Sequence, residues 1–217
     1  MIDIIMVGSG GCMRELAWQM LEDNKKTEKW NIVGYVDYRF PENSDGLDVG
    51  KFHIPYLGDD QYLLNAKDDK NVVMSVGSSR LRSKIVKKYS TNPHLHFPNV
   101  ILQSACVCED LQIGQGCIIS MDACVSTNVK MGDFVFMNTG SMVCHDGTIG
   151  SYVTFSPRSQ VAGAVTVGEN SEIGMNAAVI QCLNIGKNVI VGAGATVIRD
   201  IEDDCTVVGV PARKVGH

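Results

Sequence analysis

No apolar run in the 217-residue chain approaches 18 residues, which argues against a membrane-spanning helix, and no leader-like segment precedes the first predicted strand. Lysine and arginine form no long run. With 19 basic against 24 acidic side chains the net charge is −5, so no nucleic-acid-binding surface is expected and any phosphate recognition must be local. The eight cysteines include no C-x-x-C pair, which argues against zinc and dithiol chemistry. Most of them fall in a repeat that calls for small apolar side chains, and buried free thiols in a reducing cytoplasm are expected. The sequence therefore predicts a soluble, cytoplasmic protein.

What the sequence does have is a period. From Ile101 an apolar residue returns at every sixth position: Ile101, Val107, Ile113, Ile119, Val125, Met131, Met137, Val143, Ile149, Phe155, Val161, Val167, Ile173, Val179, Ile185, Val191 and Val197. At 45% apolar composition, 17 hits without a miss have a chance probability on the order of one in a million. Six matches neither a helix nor a continuous strand. It matches a short strand followed by a bend that resets the phase, so that one side chain in six always points inward along a solenoid.

Four residues after each inward position the side chain is small or aliphatic (Ala105, Cys117, Ala123, Ser141, Gly147, Ser159, Ser171, Ala177, Ala195 among them), as the corner of a narrow prism requires. One residue after it, Gly114, Gly132, Gly150, Gly168 and Gly186 recur every 18 residues, so three sides make one turn. A glycine fixed at one corner implies an unusual backbone conformation or a close approach that a Cβ would obstruct. Stacked repeats of this kind share a continuous core and leave only their ends to be capped.

The first half of the chain reads differently. Residues 2–7 form a buried strand closed by Gly8-Ser9-Gly10-Gly11, and residues 14–24 form a helix with Leu16, Met20 and Leu21 on one face. Strand, glycine turn and helix open a nucleotide-binding βαβ unit, in which turn N–H groups and the helix N-terminus face a diphosphate. The third glycine of the dinucleotide fingerprint is missing, and tight βα turns also use glycine for steric reasons alone. A second strand over residues 32–37 ends in Asp37, placed for a ribose or base, or equally for a turn or helix cap. Residues 41–50 read as a loop, 59–66 as a helix, 71–76 as a third strand closed by Gly77-Ser78-Ser79, and 80–89 as another helix. Three parallel strands make a truncated Rossmann-like domain, short for NAD and suited to a mononucleotide or nucleotide sugar. Residues 91–98, with two prolines, read as the hinge, and the domains are expected at 1–92 and 93–217. Beyond Val197 the period breaks at Ile198-Arg199-Asp200, and Gly209-Val210-Pro211-Ala212 closes the chain as a tail.

The repeat resembles that of the hexapeptide-repeat acyltransferases, which implies a left-handed parallel β-helix. Together with the Gly-x-Gly-Gly turn, the Val-Asp strand end and His145-Asp146 within the repeat, nearly the whole chain is similar to two groups of sugar acetyltransferases. One N-acetylates UDP-4-amino-sugars in bacterial glycan synthesis, and the other O-acetylates sialic acid. The resemblance implies acetyl-CoA as cosubstrate, no metal, and a homotrimer with the acetyl-CoA groove between neighbouring coils. It implies a nucleotide-sugar site at Gly10, Gly11, Cys12, Asp37 and Gly77, and favours N-acetylation of a nucleotide-linked amino-sugar over O-acetylation.

Of five histidines (His53, His94, His96, His145, His217) only His145 lies in the repeat, two residues after inward Val143 and off both interior phases, so it should project outward. The resembling enzymes place their general base in such a His-Asp or His-Glu pair, and an imidazole suits removal of a proton from an amine or hydroxyl attacking a thioester. Asp146 would fix its tautomer if a bend at 145–147, allowed by Gly147, let the carboxylate reach Nδ1. The resemblance further implies acetyl-CoA contacts at Thr154, Gly163, Met175 and Ala193, with the Gly163 N–H holding the thioester oxygen. Thr154 stands where some of these enzymes carry a second histidine, and Cys12 where the glycine loop often carries one.

A three-histidine zinc site, known on such solenoids in carbonic anhydrases, cannot be completed by one repeat histidine. An acyl-enzyme on Cys144 lacks a base, since adjacent strand side chains diverge. A non-catalytic scaffold is the alternative from another class, opposed by the His145-Asp146 pair.

Overall fold

A computed structural model describes residues 1–38 and 45–216. The chain divides into two compact units: Met1–Gly77 with Leu81–Pro98, and the chain from Asn99 onward together with Ser78–Arg80.

The first unit is built on β1 (Ile2–Val7), α1 (Gly11–Asn24), β2 (Trp30–Val36), β3 (Gly46–Val49), β4 (Phe52–Gly58), α2 (Asp60–Leu64), β5 (Lys70–Val73), α3 (Ser79–Tyr89) from Leu81 onward, and β6 (Leu95–His96). These strands form one sheet in the order β3-β4-β2-β1-β5-β6, parallel except where β3 pairs antiparallel with β4. Ile4, Ile5, Met6 and Val7 are all buried, the continuous apolar run of a strand covered on both faces. Against it α1 buries Met13, Leu16, Ala17 and Met20.

The sheet corrects the expected three strands to six. Of the loop expected over 41–50, residues 41–44 lie outside the described residues, while 46–49 form β3, which turns back into β4. Local polarity concealed this hairpin: β3 contains Gly46 and Asp48, and β4 contains His53 and Pro55. The expected hinge likewise contains β6, whose two residues pair with Lys70 and Asn71.

From Val100 to Val197 the second unit is a parallel solenoid of two-residue strands, and each strand as far as Ala178–Val179 pairs with the one 18 residues on. The first face begins Val100–Ile101, Ile118–Ile119, Phe136–Met137; the second Cys106–Val107, Cys124–Val125, Met142–Val143; the third Gln112–Ile113, Lys130–Met131, Thr148–Ile149. Inward positions from Ile119 to Val197 are buried in a single core with Cys117, Ala123, Val129, Val153, Val165 and Ala195 from the second interior phase. Ile101, Val107 and Ile113 are only partly covered, because the first coil has a neighbouring coil on one side alone.

The recurring glycines prove to mark close approach. A Cβ on Gly150 would lie 2.6 Å from the backbone N of Glu169, and one on Gly168 2.6 Å from that of Lys187, so the next coil occupies the space. Left-handed backbone falls two residues later, at φ of 54–68° in Gly116, Asp122, Asn128, Phe134, Gly140, Asp146 and onward every sixth residue to Gly194. Asn, Asp and Gly predominate there because they tolerate that conformation.

After the break the solenoid resumes. Thr206–Val208 pairs with Ile190–Val191 in the first face at a spacing of 16, and Arg213–Lys214 adds an antiparallel strand over the exposed edge. The expected burial of the cysteines needs correction. All eight are free thiols as expected, but only Cys117 and Cys205 are buried, while Cys106 and Cys182 are exposed.

Candidate active site

Gly10, Gly11, Cys12, Asp37 and Gly77 all line one cleft of about 600 Å³ in the first unit, at the C-terminal ends of β1, β2 and β5. Parallel α/β sheets bind ligands there, because the turns leave backbone groups and helix starts facing one crevice. Gly8 carries φ of 100°, which turns β1 into α1. At the position of the missing third glycine stands Met13, fully buried.

Three contributors to this cleft escaped the sequence reading. Ser9 donates its N–H (2.8 Å) and its hydroxyl (2.6 Å) to Asp37 Oδ2, tying the glycine turn to the end of β2. Asp60 lines the wall and accepts from the Tyr89 hydroxyl at 2.6 Å. Arg82, 1% exposed, donates to the carbonyls of Val76 (2.7 Å) and Gly77 (3.1 Å) and so fixes the turn after β5. Helical periodicity alone does not single out an arginine for burial. Desolvation pushes the Cys12 thiol up to about 12, outweighing the opposite pull of the Arg82 guanidinium.

In the solenoid, His145 and Asp146 form the turn between the second and third faces. His145 projects outward with 61% of its side chain exposed, and its Nδ1 lies 2.7 Å from Asp146 Oδ2. The bend that lets neighbours meet is supplied by Asp146 itself, at φ of 60°, one residue before the glycine expected to provide it. Asp146 Oδ1 accepts from Asn128 Nδ2 at 2.6 Å, and hydrogen bonds from His145 first and Asn128 second hold the Asp146 carboxyl below the usual carboxylate range. Asn128 occupies the same corner one coil earlier, a partner that the 18-residue period could have identified.

Gly163 lies on the following coil at this corner. Its Cα faces the imidazole so closely that a Cβ would fall 2.5 Å from His145 Nε2. Among the described residues its N–H takes no acceptor, while its carbonyl accepts from Cys182 at 3.0 Å. The second face next to this corner carries a shallow groove of about 480 Å³, lined by Cys144, Ala162, Val179 and Ile180 with Gln160 and Gln181. Met175 and Ala193 sit on adjacent coils at the other edge of that face, at the turns leading into it. Thr154 does not share the face: it lies on the first face, in register with Phe136 and Glu172, and is buried. Among the described residues no cluster of His, Cys, Asp and Glu could hold a metal, and no helix is long and apolar enough to cross a membrane.

Residues 3–89 match the family model of the PglD N-terminal domain. No curated protein matches the chain significantly. Among solved structures, PerB from Caulobacter crescentus in complex with CoA and GDP-perosamine is 30% identical, with 99% of this chain and 97% of that one covered at a TM-score of 0.83. A perosamine N-acetyltransferase from the same organism, in a form with one histidine replaced by asparagine, matches with the same identity and coverage at 0.85. The acetyltransferase domain of PglB from Neisseria gonorrhoeae, in complex with acetyl coenzyme A, is 27% identical over 98% of both chains at 0.84. A two-part chain of α/β domain and left-handed parallel β-helix, similar to PerB over almost its whole length, belongs to the hexapeptide-repeat nucleotide-sugar acetyltransferase family.

Proposed function

We propose that the protein transfers the acetyl group of acetyl-CoA to the amine of a nucleotide-linked amino-sugar of the UDP-4-amino-sugar type, in bacterial surface glycan synthesis, with His145 as general base and no covalent intermediate. The observation that carries this reading is the His145–Asp146 pair at the edge of the apolar groove, with Nε2 unpartnered among the described residues and the Gly163 N–H beside it. The relatives support it, since PerB is in complex with both CoA and GDP-perosamine.

Acetyl-CoA supplies an activated acyl thioester, and the groove's apolar lining beside a polar corner suits such a group. The amine uses its lone pair to attack the carbonyl and must lose a proton. His145 Nε2 takes that proton while Nδ1–H is held by Asp146 Oδ2, which keeps the base lone pair on the outward nitrogen. The C–S bond then breaks as the tetrahedral adduct collapses to the amide, and CoA leaves as a thiolate that takes up the proton held on the imidazole and departs as the thiol. The Gly163 N–H would meet the developing oxyanion, a donor worth about 3 kcal/mol when aimed at the transition state. Met175 and Ala193 border the face on which acetyl-CoA would lie. In the proposed homotrimer a face of one chain would meet the groove of the next; Thr154, buried on the first face of its own chain, lies away from the groove and is left out of the proposed acetyl-CoA contacts.

The sugar nucleotide binds in the N-terminal cleft, with the diphosphate against the N–H groups of Gly10 and Gly11, Cys12 beside them, Asp37 toward the nucleoside and Gly77 on the sugar side. Buried Met13, where a dinucleotide fold has a glycine, weighs against NAD. Incubation with acetyl-CoA and a panel of UDP- and GDP-linked amino-sugars, following release of the CoA thiol, tests the proposal. Thiol release with an amino-sugar nucleotide and none with its hydroxyl analogue supports it. Release with hydroxyl sugars only would make the enzyme an O-acetyltransferase, and release with no sugar nucleotide would leave a scaffold.

A further inference from the structure

We infer that Asn128 is a positioning residue for His145: its side-chain amide, acting across one coil, fixes the Asp146 carboxylate and thereby the tautomer and direction of the imidazole. The inference rests on the reading of His145 as the base. It starts from exposure. Half of the Asp146 side chain and 61% of the His145 side chain are accessible, and an exposed two-residue pair has little to hold it, because water competes for both partners and each side chain gains rotamer freedom by letting go. A carboxylate held at one oxygen can still rotate. Asp146 is held at both: Oδ2 by His145 Nδ1 at 2.7 Å and Oδ1 by Asn128 Nδ2 at 2.6 Å. An ionised carboxylate only accepts, so the Asn128 amide must present its NH₂ to it, which settles the amide orientation chemically.

Asn128 is in turn anchored from the coil before. Asp110 Oδ2 accepts from the Asn128 N–H at 2.9 Å and from the Thr127 hydroxyl at 2.6 Å, while the Thr127 carbonyl accepts from the Asp146 N–H at 3.1 Å. Residues 110, 128 and 146 therefore form a column of acid, amide and acid at 18-residue spacing that ends at the histidine. The next two places in the column, Ala164 and Cys182, carry no such group. With Asp146 held at both oxygens, the neutral imidazole keeps its proton on Nδ1 and presents Nε2 beside Gly163. An orienting carboxylate serves the base in this way generally, by selecting one tautomer.

An amide-to-carboxylate bond also occurs where no histidine is involved, from Asn188 Nδ2 to Asp204 Oδ1 at 2.9 Å. That pair provides the control for a merely structural role. Asn128 has φ of 55° and Asn188 the same, so glycine removes either amide without forcing a Cβ into left-handed backbone. The experiment compares Asn128→Gly, Asn128→Asp and Asn188→Gly with the wild type, using nitrogen NMR of labelled histidine rings, with His145→Gln to assign the signals, together with pH-rate profiles. The wild-type neutral ring of His145 is expected to be protonated on Nδ1, and Asn128→Gly to shift it toward a mixture of tautomers. On an amino-sugar substrate Asn128→Gly should lower kcat roughly tenfold with the KM for acetyl-CoA unchanged, at a melting temperature no lower than that of Asn188→Gly. Asn128→Asp puts two carboxylates in contact, which must share a proton, and should move the acidic limb of kcat to higher pH. A wild-type ring protonated on Nε2, or a tautomer and pH profile that Asn128→Gly and Asn128→Asp leave unchanged, overturns the inference. Normal turnover in His145→Ala would remove the base assignment instead, and the ring spectra would still decide what Asn128 does.

Discussion

The imidazole of His145 rests on the Cα of Gly163: a Cβ there would lie 2.3 Å from Cε1 and 2.5 Å from Nε2. No side chain fits at position 163 while the ring keeps its place. Because the ring is exposed and can swing away, Gly163→Ala should leave the fold intact and displace the base. The expected result is a melting temperature within a few degrees of wild type with kcat reduced on the order of a hundredfold, since small misplacements at a reacting centre cost that much. Unimpaired turnover in Gly163→Ala would show that the ring is not needed where it stands.

His145→Ala should lower kcat by roughly two to four orders of magnitude and leave acetyl-CoA affinity nearly unchanged, because the proton moves only on the way to the transition state. Asp146→Asn should cost less. Rapid-quench turnover together with calorimetric titration of CoA separates the two effects.

The pH dependence of the pair follows from the lowered carboxyl of Asp146. A depressed carboxyl gives its hydrogen bonds at any pH above its own pKa and loses them as pH falls through it. The Asp146 hydrogen bonds should therefore persist at pH 5 and fail only below the ordinary aspartate value of 3.8. Carboxyl carbon shifts in an NMR titration would show this, and a midpoint above that value would contradict the two hydrogen bonds.

Solenoid stability should depend on what each position meets. Phe155 is fully buried among the inward side chains, so Phe155→Ala should cost about 3–5 kcal/mol in denaturant unfolding. Gly168→Ala would press a Cβ into the backbone of the next coil at 2.6 Å and should also destabilise the protein, whereas the glycine beside His145 should tolerate alanine.

The raised Cys12 thiol predicts slow alkylation. At pH 8 iodoacetamide should modify exposed Cys106 and Cys182 well before Cys12, because the thiolate is the reactive form. A sugar nucleotide in the cleft should slow Cys12 further without affecting the other two. Rapid labelling of Cys12, read by peptide mass spectrometry, would mean that water reaches the turn freely.

Much of the architecture was legible in the chain because a solenoid is a one-dimensional structure. One inward side chain in six and one glycine in eighteen recur at fixed intervals, so phase alone specified the core from Ile119 to Val197 and the outward direction of His145. The glycine turn and Asp37 were legible as well, since strand ends in a parallel sheet converge on one crevice whatever lies between them. The hairpin of β3 and β4 was not, because its polar and glycine-rich residues carry no period and only pairing beside β2 makes them strands. Burial of Arg82 was equally hidden, because the carbonyls of Val76 and Gly77 that accept from it face the guanidinium only once the turn before α3 has folded back over the helix.

At the candidate centre the sequence by itself determined which residues share a corner, since positions 128, 146 and 164 follow from the period. Tertiary structure decided which of them touch. Asp146 reaches its neighbour only because its backbone turns left-handed, Asn128 reaches Asp146 only because coils stack in register, and Gly163 meets the ring only because the next coil passes beneath it. A period fixes direction and order along the chain. Hydrogen bonds of 2.6 and 2.7 Å depend on backbone dihedrals and on the register between coils, which exist only once the coils have closed on one another.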